Sequence, residues 1–376
     1  MIPFNKPYLS GKEVHYLYEA VHSGQISGNG IYTKKCHSFF ENRFNFNKTL
    51  LTTSCTDALE MCALLLNIQP GDEIIIPSYT FVSSALAFIR QGAKIVFVDS
   101  KKDHPGINEN LIESLITDKT RAIVPVHYAG IACDMDKIMQ LADQFNLMVV
   151  EDAAQAIDNY YKGQVLGGIG HLGCYSFHET KNLQCGEGGL LIINDKKLIK
   201  RAEILWEKGT NRAEFFRGEI NKYGWVDTGS SFLPSELNSS FLFAQLENID
   251  LIQSKRKDIW NRYYEALTPL HNSGKIALPK IPNYTEQNGH LFYFTCKTPD
   301  IRKELIGFLR KHDIHAVFHY QSLHLSDYYK DKHDNRLLPE AMKYSDCLIR
   351  LPLFFELTLE QQNYIINKTI LFFNSK

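Results

Sequence analysis

Between residues 73 and 152 the chain alternates short apolar runs with helical segments, and few folds accommodate that order. The runs Glu73-Ile-Ile-Ile-Pro77, Ala93-Lys-Ile-Val-Phe-Val-Asp99, Arg121-Ala-Ile-Val-Pro-Val-His127 and Leu147-Met-Val-Val-Glu-Asp152 read as strands with little polar alternation. Helical spacing fills the intervals at 82–90 and 136–145. Strands buried on both faces and joined through helices require an α/β architecture: a mostly parallel sheet covered by helices. Ligands in such sheets collect at the carboxyl ends of the strands, which draws attention to Asp152.

Further helices are predicted over 11–23 and 33–44, separated by a loop at 23–30 rich in Gly, Ser and Asn. A hydroxyl cluster then enters a helical run, with Ser54 or Thr56 as its N-cap. Residues 196–208 read as a helix with a basic exposed face, and 234–267 as two helices in succession. Beyond Thr268 the composition turns to Pro, Asn and short strands, with a strand at 290–297 and helices at 301–312 and 359–372. At 376 residues the chain is long for one domain. The expected division is a large α/β domain over 1–249 and a smaller C-terminal α+β domain over 250–376.

Composition excludes several roles. A net charge of -1 provides no field to gather nucleic acid or an anionic membrane. No apolar run approaches the roughly 18 residues a membrane helix needs, and the N-terminus lacks the apolar core of a signal peptide. Eight scattered cysteines without a CxxC pair read as reduced thiols, and so as a cytoplasmic protein.

Chemistry concentrates at Gly173-Cys-Tyr-Ser-Phe-His-Glu-Thr-Lys181-Asn-Leu-Gln-Cys-Gly-Glu-Gly-Gly189. One lysine sits in a short segment between predicted strands at 174–178 and 189–194, hemmed by glycines that permit tight turns. A lysine held this way suits an imine to a carbonyl cofactor, pyridoxal 5′-phosphate (PLP) above all. That cofactor also needs an acid at its ring nitrogen, a phosphate cradle and a flat group against the ring. The chain offers Asp152, the Ser54-Cys55-Thr56 turn, and Tyr79 or Phe81. Singly each has an ordinary explanation: a solvated lysine, a helix cap, a core aromatic. Gly168-Ile-Gly-His-Leu-Gly173 spells the dinucleotide fingerprint, but no strand enters it and no helix follows. His319 and His324 have no carboxylate or cysteine at metal-ligand spacing.

At Pro77-Ser-Tyr-Thr-Phe-Val82, Gly92–Asp99, Val150-Glu-Asp-Ala-Ala-Gln155, Ser176-Phe-His-Glu-Thr-Lys181 and Gly186-Glu-Gly-Gly189 the chain resembles the DegT/DnrJ/EryC1/StrS sugar-nucleotide aminotransferases. The resemblance covers nearly the whole chain. It implies fold type I of the PLP-dependent transferases, a homodimer with shared active sites, and L-glutamate and a dTDP-keto-sugar as substrates. It further implies that Lys181 carries PLP and moves the proton, that Asp152 pairs with the pyridinium nitrogen and that Gln155 touches the ring hydroxyl. Phe81 would stack on the ring; Cys55, Thr56 and Ser176 would hold the phosphate; His319 and Tyr320 would meet the sugar nucleotide. The family pattern Gly-x-Asn-Tyr-Arg is replaced here by Gly229-Ser-Ser231-Phe-Leu233, so Ser231 stands where an asparagine would reach the neighbouring subunit's cofactor. Ile2–Asn5, Lys208–Arg212, Gly229–Phe232 and Arg350–Phe354 match most closely those members that aminate C4 of a dTDP-4-keto-6-deoxyhexose. Competing readings are a 3-amino or other-isomer transaminase, a deoxysugar dehydratase (where histidine replaces the lysine), and a non-catalytic PLP-binding regulator.

Overall fold

The computed structural model describes residues 1–375. Its main sheet uses β1 (Lys48–Thr52), β2 (Glu73–Pro77), β3 (Lys94–Val98), β4 (Thr120–Ile123) and β5 (Met148–Asp152). A small hairpin of β6 (Tyr160–Tyr161) and β7 (Gln164–Val165) intervenes before β8 (Leu172–Ser176) and β9 (Gly189–Ile193) complete the sheet. The seven strands lie in the order β1-β9-β8-β5-β4-β2-β3, with β9 antiparallel to its neighbours and the rest parallel to one another.

Strand alternation sorts the apolar side chains into two cores. Ile74, Ile76, Val150 and Leu191 enter one, with α3 (Cys55–Leu65), α4 (Ser83–Ile89) and α6 (Ile199–Trp206). Ile75, Val149, Leu190 and Ile192 enter the other, with α2 (Ile31–Phe44), α5 (Met135–Phe145) and α8 (Glu236–Leu246). The α1 helix (Glu13–His22) packs on α8, and α7 (Arg212–Phe216) follows α6. A third core gathers α9 (Ile249–Asn272), α10 (Pro299–Lys311) and α12 (Leu359–Asn374) around an antiparallel sheet. That sheet has the order β10 (Ile276–Ala277), β11 (Phe292–Cys296), β12 (Leu348–Leu351). The α11 helix (Pro339–Cys347) instead sends Ala341 and Tyr344 into the first core.

Several boundaries differ from the sequence expectation. β4 stops at Ile123, because Pro125 has no N–H to give the ladder; past it the backbone pairs with β5 again at the Val126–Asp152 bridge. The helix expected to end at 267 continues past Pro269 to Asn272. The segment after Asp195 opens as a 3₁₀ turn, Lys196–Leu198, before α6 begins. β1, β6, β7, β10, β12, α7 and α11 were not anticipated, being short or lacking clear periodicity.

The Gly168–Gly173 motif is the loop into β8. Its neighbourhood serves a buried side chain: Gly167, Ile169 and Gly170 donate N–H bonds to Glu151 at 2.8, 2.7 and 2.6 Å. Cys133 N–H donates to His127 Nδ1, so the ring proton sits on Nε2 and is given to Glu151 at 3.0 Å. Glu151→Ala strips the acceptor from these buried donors and is expected to cost about 3–5 kcal/mol of stability. Chemical denaturation checks this; an unchanged midpoint would remove the network from any role in stability.

Candidate functional site

The carboxyl ends of β1, β5 and β8 open on one cavity of about 670 Å³. Lys181, Asp152, Gln155, Phe81, Cys55, Thr56, Ser176, His319 and Tyr320 all line it. Ser231 does not: it is exposed, bridging to Glu207 away from this chain's cavity.

Lys181 lies in the loop between β8 and β9. Phe177 N–H donates to Gly188 O at 2.8 Å, Cys185 N–H to Phe177 O at 2.9 Å and Glu179 N–H to Gly186 O at 2.9 Å. Gly186 makes the last of these turns with φ +78°, a conformation that suits glycine. Burial lowers the Lys181 pKa below the ordinary lysine value; Cys55 and Asp152 oppose that shift and Arg350 adds to it. The amine therefore gives up its proton more readily than a solvated lysine, as a nucleophile or base must.

Asp152 is buried at the end of β5 and held at both oxygens. Ser84 Oγ donates to Oδ2 at 2.6 Å and Ala154 N–H to Oδ1 at 3.2 Å. Thr80 Oγ1 lies 2.9 Å from Ser84 Oγ, extending the chain of hydroxyls. Gln155 accepts from Ala129 N–H at 2.7 Å through Oε1, which leaves its Nε2 to donate to Tyr320 OH at 3.1 Å.

The α3 N-terminus forms another wall. Ser54 is the N-cap, its hydroxyl accepting from Asp57 N–H at 3.1 Å. First-turn amides such as those of Cys55 and Thr56 have no intrahelical acceptor and are an anion seat. The helix approaches the sheet this closely because Gly189 lacks a side chain: a Cβ there would stand 2.4 Å from Cys55 N and from Ser54 C and O.

Of the two candidate ring-stacking aromatics, Tyr79 is buried and donates its hydroxyl to His319 O at 2.6 Å. Phe81 is 54% exposed and lines the cavity. Tyr320 packs against His319 with ring centroids 3.5 Å apart and planes tilted by 31°, and adopts φ +45°, a strained conformation for an aromatic residue. His319 Nδ1 lies 2.6 Å from Tyr128 OH, and burial together with Arg350 and Lys181 holds its pKa well below the ordinary histidine range. His324 faces elsewhere, with Nδ1 2.6 Å from Ser78 Oγ.

Sequence reasoning missed two residues. Ser84 orients Asp152, and its signal was a hydroxyl in the first turn of the helix after Phe81. Arg350 lines the same cavity from β12, where it is a lone charge within Leu348-Ile-Arg-Leu351.

A model of the DegT/DnrJ/EryC1/StrS aminotransferase family matches residues 7–369. The chain belongs to that family. This aminotransferase is 29% identical over 374 residues to an uncharacterised protein of Methanocaldococcus jannaschii, covering 97% of this chain and 96% of the other. Its structure is similar to that of a Streptococcus pneumoniae protein described as a sugar aminotransferase. The PMP form of that protein gives a TM-score of 0.92 at 28% identity over 100% of both chains. Its PLP form gives 0.90 at 28% identity, covering 100% and 99%. The aminotransferase TlmJ of Streptoalloteichus hindustanus gives 0.92 at 25% identity, covering 100% and 99%.

The cofactor of this family is PLP, and the residues present fit it. A lysine of reduced basicity, an acid held by a serine and a helix N-terminus brought close by a missing Cβ all face one cavity. Gly189→Ala should push the α3 first turn outward, with overpacking of about 1–3 kcal/mol. PLP retention is expected to fall about tenfold or more, read by dialysis with circular dichroism as the control for folding. Undiminished retention would show that the contact does not shape the phosphate seat.

Proposed function

We propose that this aminotransferase moves the amino group of L-glutamate to C4 of a dTDP-4-keto-6-deoxyhexose. It would then be a dTDP-4-amino-4,6-dideoxygalactose transaminase. The observation that carries the reading is the meeting of Lys181, Asp152 and the α3 N-terminus in one cavity that His319 and Tyr320 also line. The likeness to a protein described as a sugar aminotransferase supports a sugar substrate. The phrases at 2–5, 208–212, 229–232 and 350–354 support the 4-amino assignment.

When bound, PLP supplies the carbonyl that takes up the amino group and the ring that spreads the charge left by proton loss. The rest is done by the chain. Lys181 Nζ takes the proton from the carbon that gives up the amine and returns one to the carbon that receives it. Asp152, oriented by Ser84, holds a proton on the pyridine nitrogen. Gln155 offers an Nε2–H fixed by the Ala129 contact, and the free amides of Cys55 and Thr56, with Ser176, hold the phosphate. Phe81 covers one face of the ring.

Residues 1–249 supply the PLP contacts in this reading, and 250–376 close the cavity with His319, Tyr320 and Arg350. The enzyme works as a cytoplasmic homodimer, in which the exposed Ser231 faces the partner's cofactor.

Incubating the enzyme with L-glutamate and dTDP-4-keto-6-deoxyglucose should yield 2-oxoglutarate and a 4-amino sugar nucleotide in equal amounts, identified by NMR. Conversion of a 3-keto isomer alone would replace this assignment with a 3-amino transaminase. Lys181→Ala is expected to lower the rate by about 10⁴-fold or more, and Asp152→Asn by roughly 10²–10³-fold. A near-normal rate in either variant refutes that residue's role.

A further inference from the structure

His290 stands just before β11 on the wall of the Lys181 cavity, and its backbone is held at both polar atoms. Its N–H donates to Asn288 Oδ1 at 3.1 Å and its carbonyl accepts from Arg256 Nη2 at 2.7 Å. The ring is fixed as well, by a chain of amides whose orientation is decided by backbone carbonyls. Gln253 Nε2 donates to Ile157 O at 3.1 Å, so Gln253 Oε1 is the atom that accepts from Asn182 Nδ2 at 2.7 Å. Asn182 Nδ2 gives its other proton to Asn288 O at 2.9 Å. That leaves Asn182 Oδ1 as the atom 2.9 Å from His290 Nδ1, and an oxygen there assigns the ring proton to Nδ1.

Nε2 is then a bare acceptor. Among the described residues no donor meets it, although the side chain is buried and lines the cavity. Protonation does not relieve it. Burial and the charges of Lys181, Arg256 and Arg350 hold the His290 pKa well below the ordinary histidine range, and neighbouring His319 is held low in the same way. A fixed lone pair without a donor carries a cost that an O–H or N–H of a ligand removes.

Granted the transaminase reading with a 4-keto sugar, on which this rests, we propose that His290 Nε2 accepts the hydroxyl at C3 of that sugar. Both substrates bring their reacting carbon to Lys181, and they differ in what stands beside it. The α-carbon of L-glutamate carries a carboxylate, which only accepts, and a methylene, which does neither. Its one donor is the amine being transferred. C4 of the sugar lies between C5, which bears the ring oxygen and the methyl group, and C3, which bears a hydroxyl. His290 is close enough to Lys181 to feel its charge. A fixed acceptor at that range has a standing partner only in the sugar half of the reaction.

His290→Asn is the discriminating variant: its side-chain amide keeps a donor for Asn182 while nothing replaces Nε2. In the PMP holoenzyme, calorimetry with dTDP-6-deoxyglucose, which has no keto group to react, gives sugar binding without turnover. Its 3-deoxy analogue gives the same binding without the hydroxyl. Wild type is expected to bind the analogue roughly 10–100-fold more weakly than the parent. His290→Asn should lose a similar factor on the parent and hold the two sugars within about threefold of each other. Its kcat/KM for the 4-keto sugar should fall in parallel, while the half-reaction with L-glutamate changes by no more than about threefold. His290→Gln, whose amide oxygen reaches toward the Nε2 position, should regain part of the preference for the parent.

Independent, additive losses from the variant and the analogue would show that the two groups do not meet, and overturn the proposal. Equal loss in both half-reactions would overturn it too, leaving His290 as a support for the Lys181 loop through Asn182. If neither variant folds, the wild type decides, since equal binding of the two sugars refutes the contact. The sugar assignment fails by a different result: wild type leaves dTDP-4-keto-6-deoxyglucose unreacted and aminates a 3-keto isomer. That substrate has no hydroxyl at C3, and the proposal falls with the assignment.

Discussion

Three strand ends meet in one row of the sheet, and the site depends on that row. Gly189, the first residue of β9, pairs with Thr52 at the end of β1 and with Ser176 at the end of β8. Past Thr52 the chain turns into α3 and its free amides; past Ser176 it enters the loop that carries Lys181. The lack of a side chain at 189 lets α3 begin against the sheet. One glycine therefore fixes the spacing between the anion seat and the amine, and the antiparallel course of β9 is what puts it there.

The chemistry was more legible in the sequence than the connections that aim it. Lys181 and Asp152 could be picked out because a hemmed lysine and a strand-end acid are local patterns, and the α/β alternation around them is long and regular. β1 was invisible: it is five residues ending in hydroxyls, and Thr52, Thr53 and Ser54 read equally well as the entry to a helix. The choice between Tyr79 and Phe81 could not be made locally either, because both lie beyond the end of β2. The two part through a partner 240 residues away: the carbonyl of His319 takes the Tyr79 hydroxyl into the core, and Phe81 is left lining the cavity. Arg350 was quoted only as part of a family phrase. What gives it meaning is the pairing of β12 with β11 and with Val317, a set of contacts no window of sequence contains.

The electrostatics of the cavity follow from crowding basic groups into a partly dry space. Burial makes both Lys181 and Arg350 less basic than their solvated counterparts. His319 and His290 are driven strongly toward their neutral forms by burial and by those same charges. Neutral histidines and a readily deprotonated lysine keep the positive charge low until an anion arrives.

Adjacent carboxyl groups on β5 show how strand geometry divides labour. Successive side chains point to opposite faces, so Glu151 and Asp152 cannot share an environment. Glu151 turns toward the loop that spells a dinucleotide fingerprint and absorbs three of its neighbouring amides, along with the His127 proton. Those amides would be the phosphate donors in a dinucleotide site; here a carboxyl group of the chain itself occupies them, and β8 follows where a helix would be needed. Asp152, one residue on, reaches the cavity with a serine and a backbone amide as its donors among the described residues, which leaves it able to meet a protonated ring nitrogen. A one-residue slip of β5 would exchange the two acids, turning Asp152 away from the cavity and Glu151 toward it.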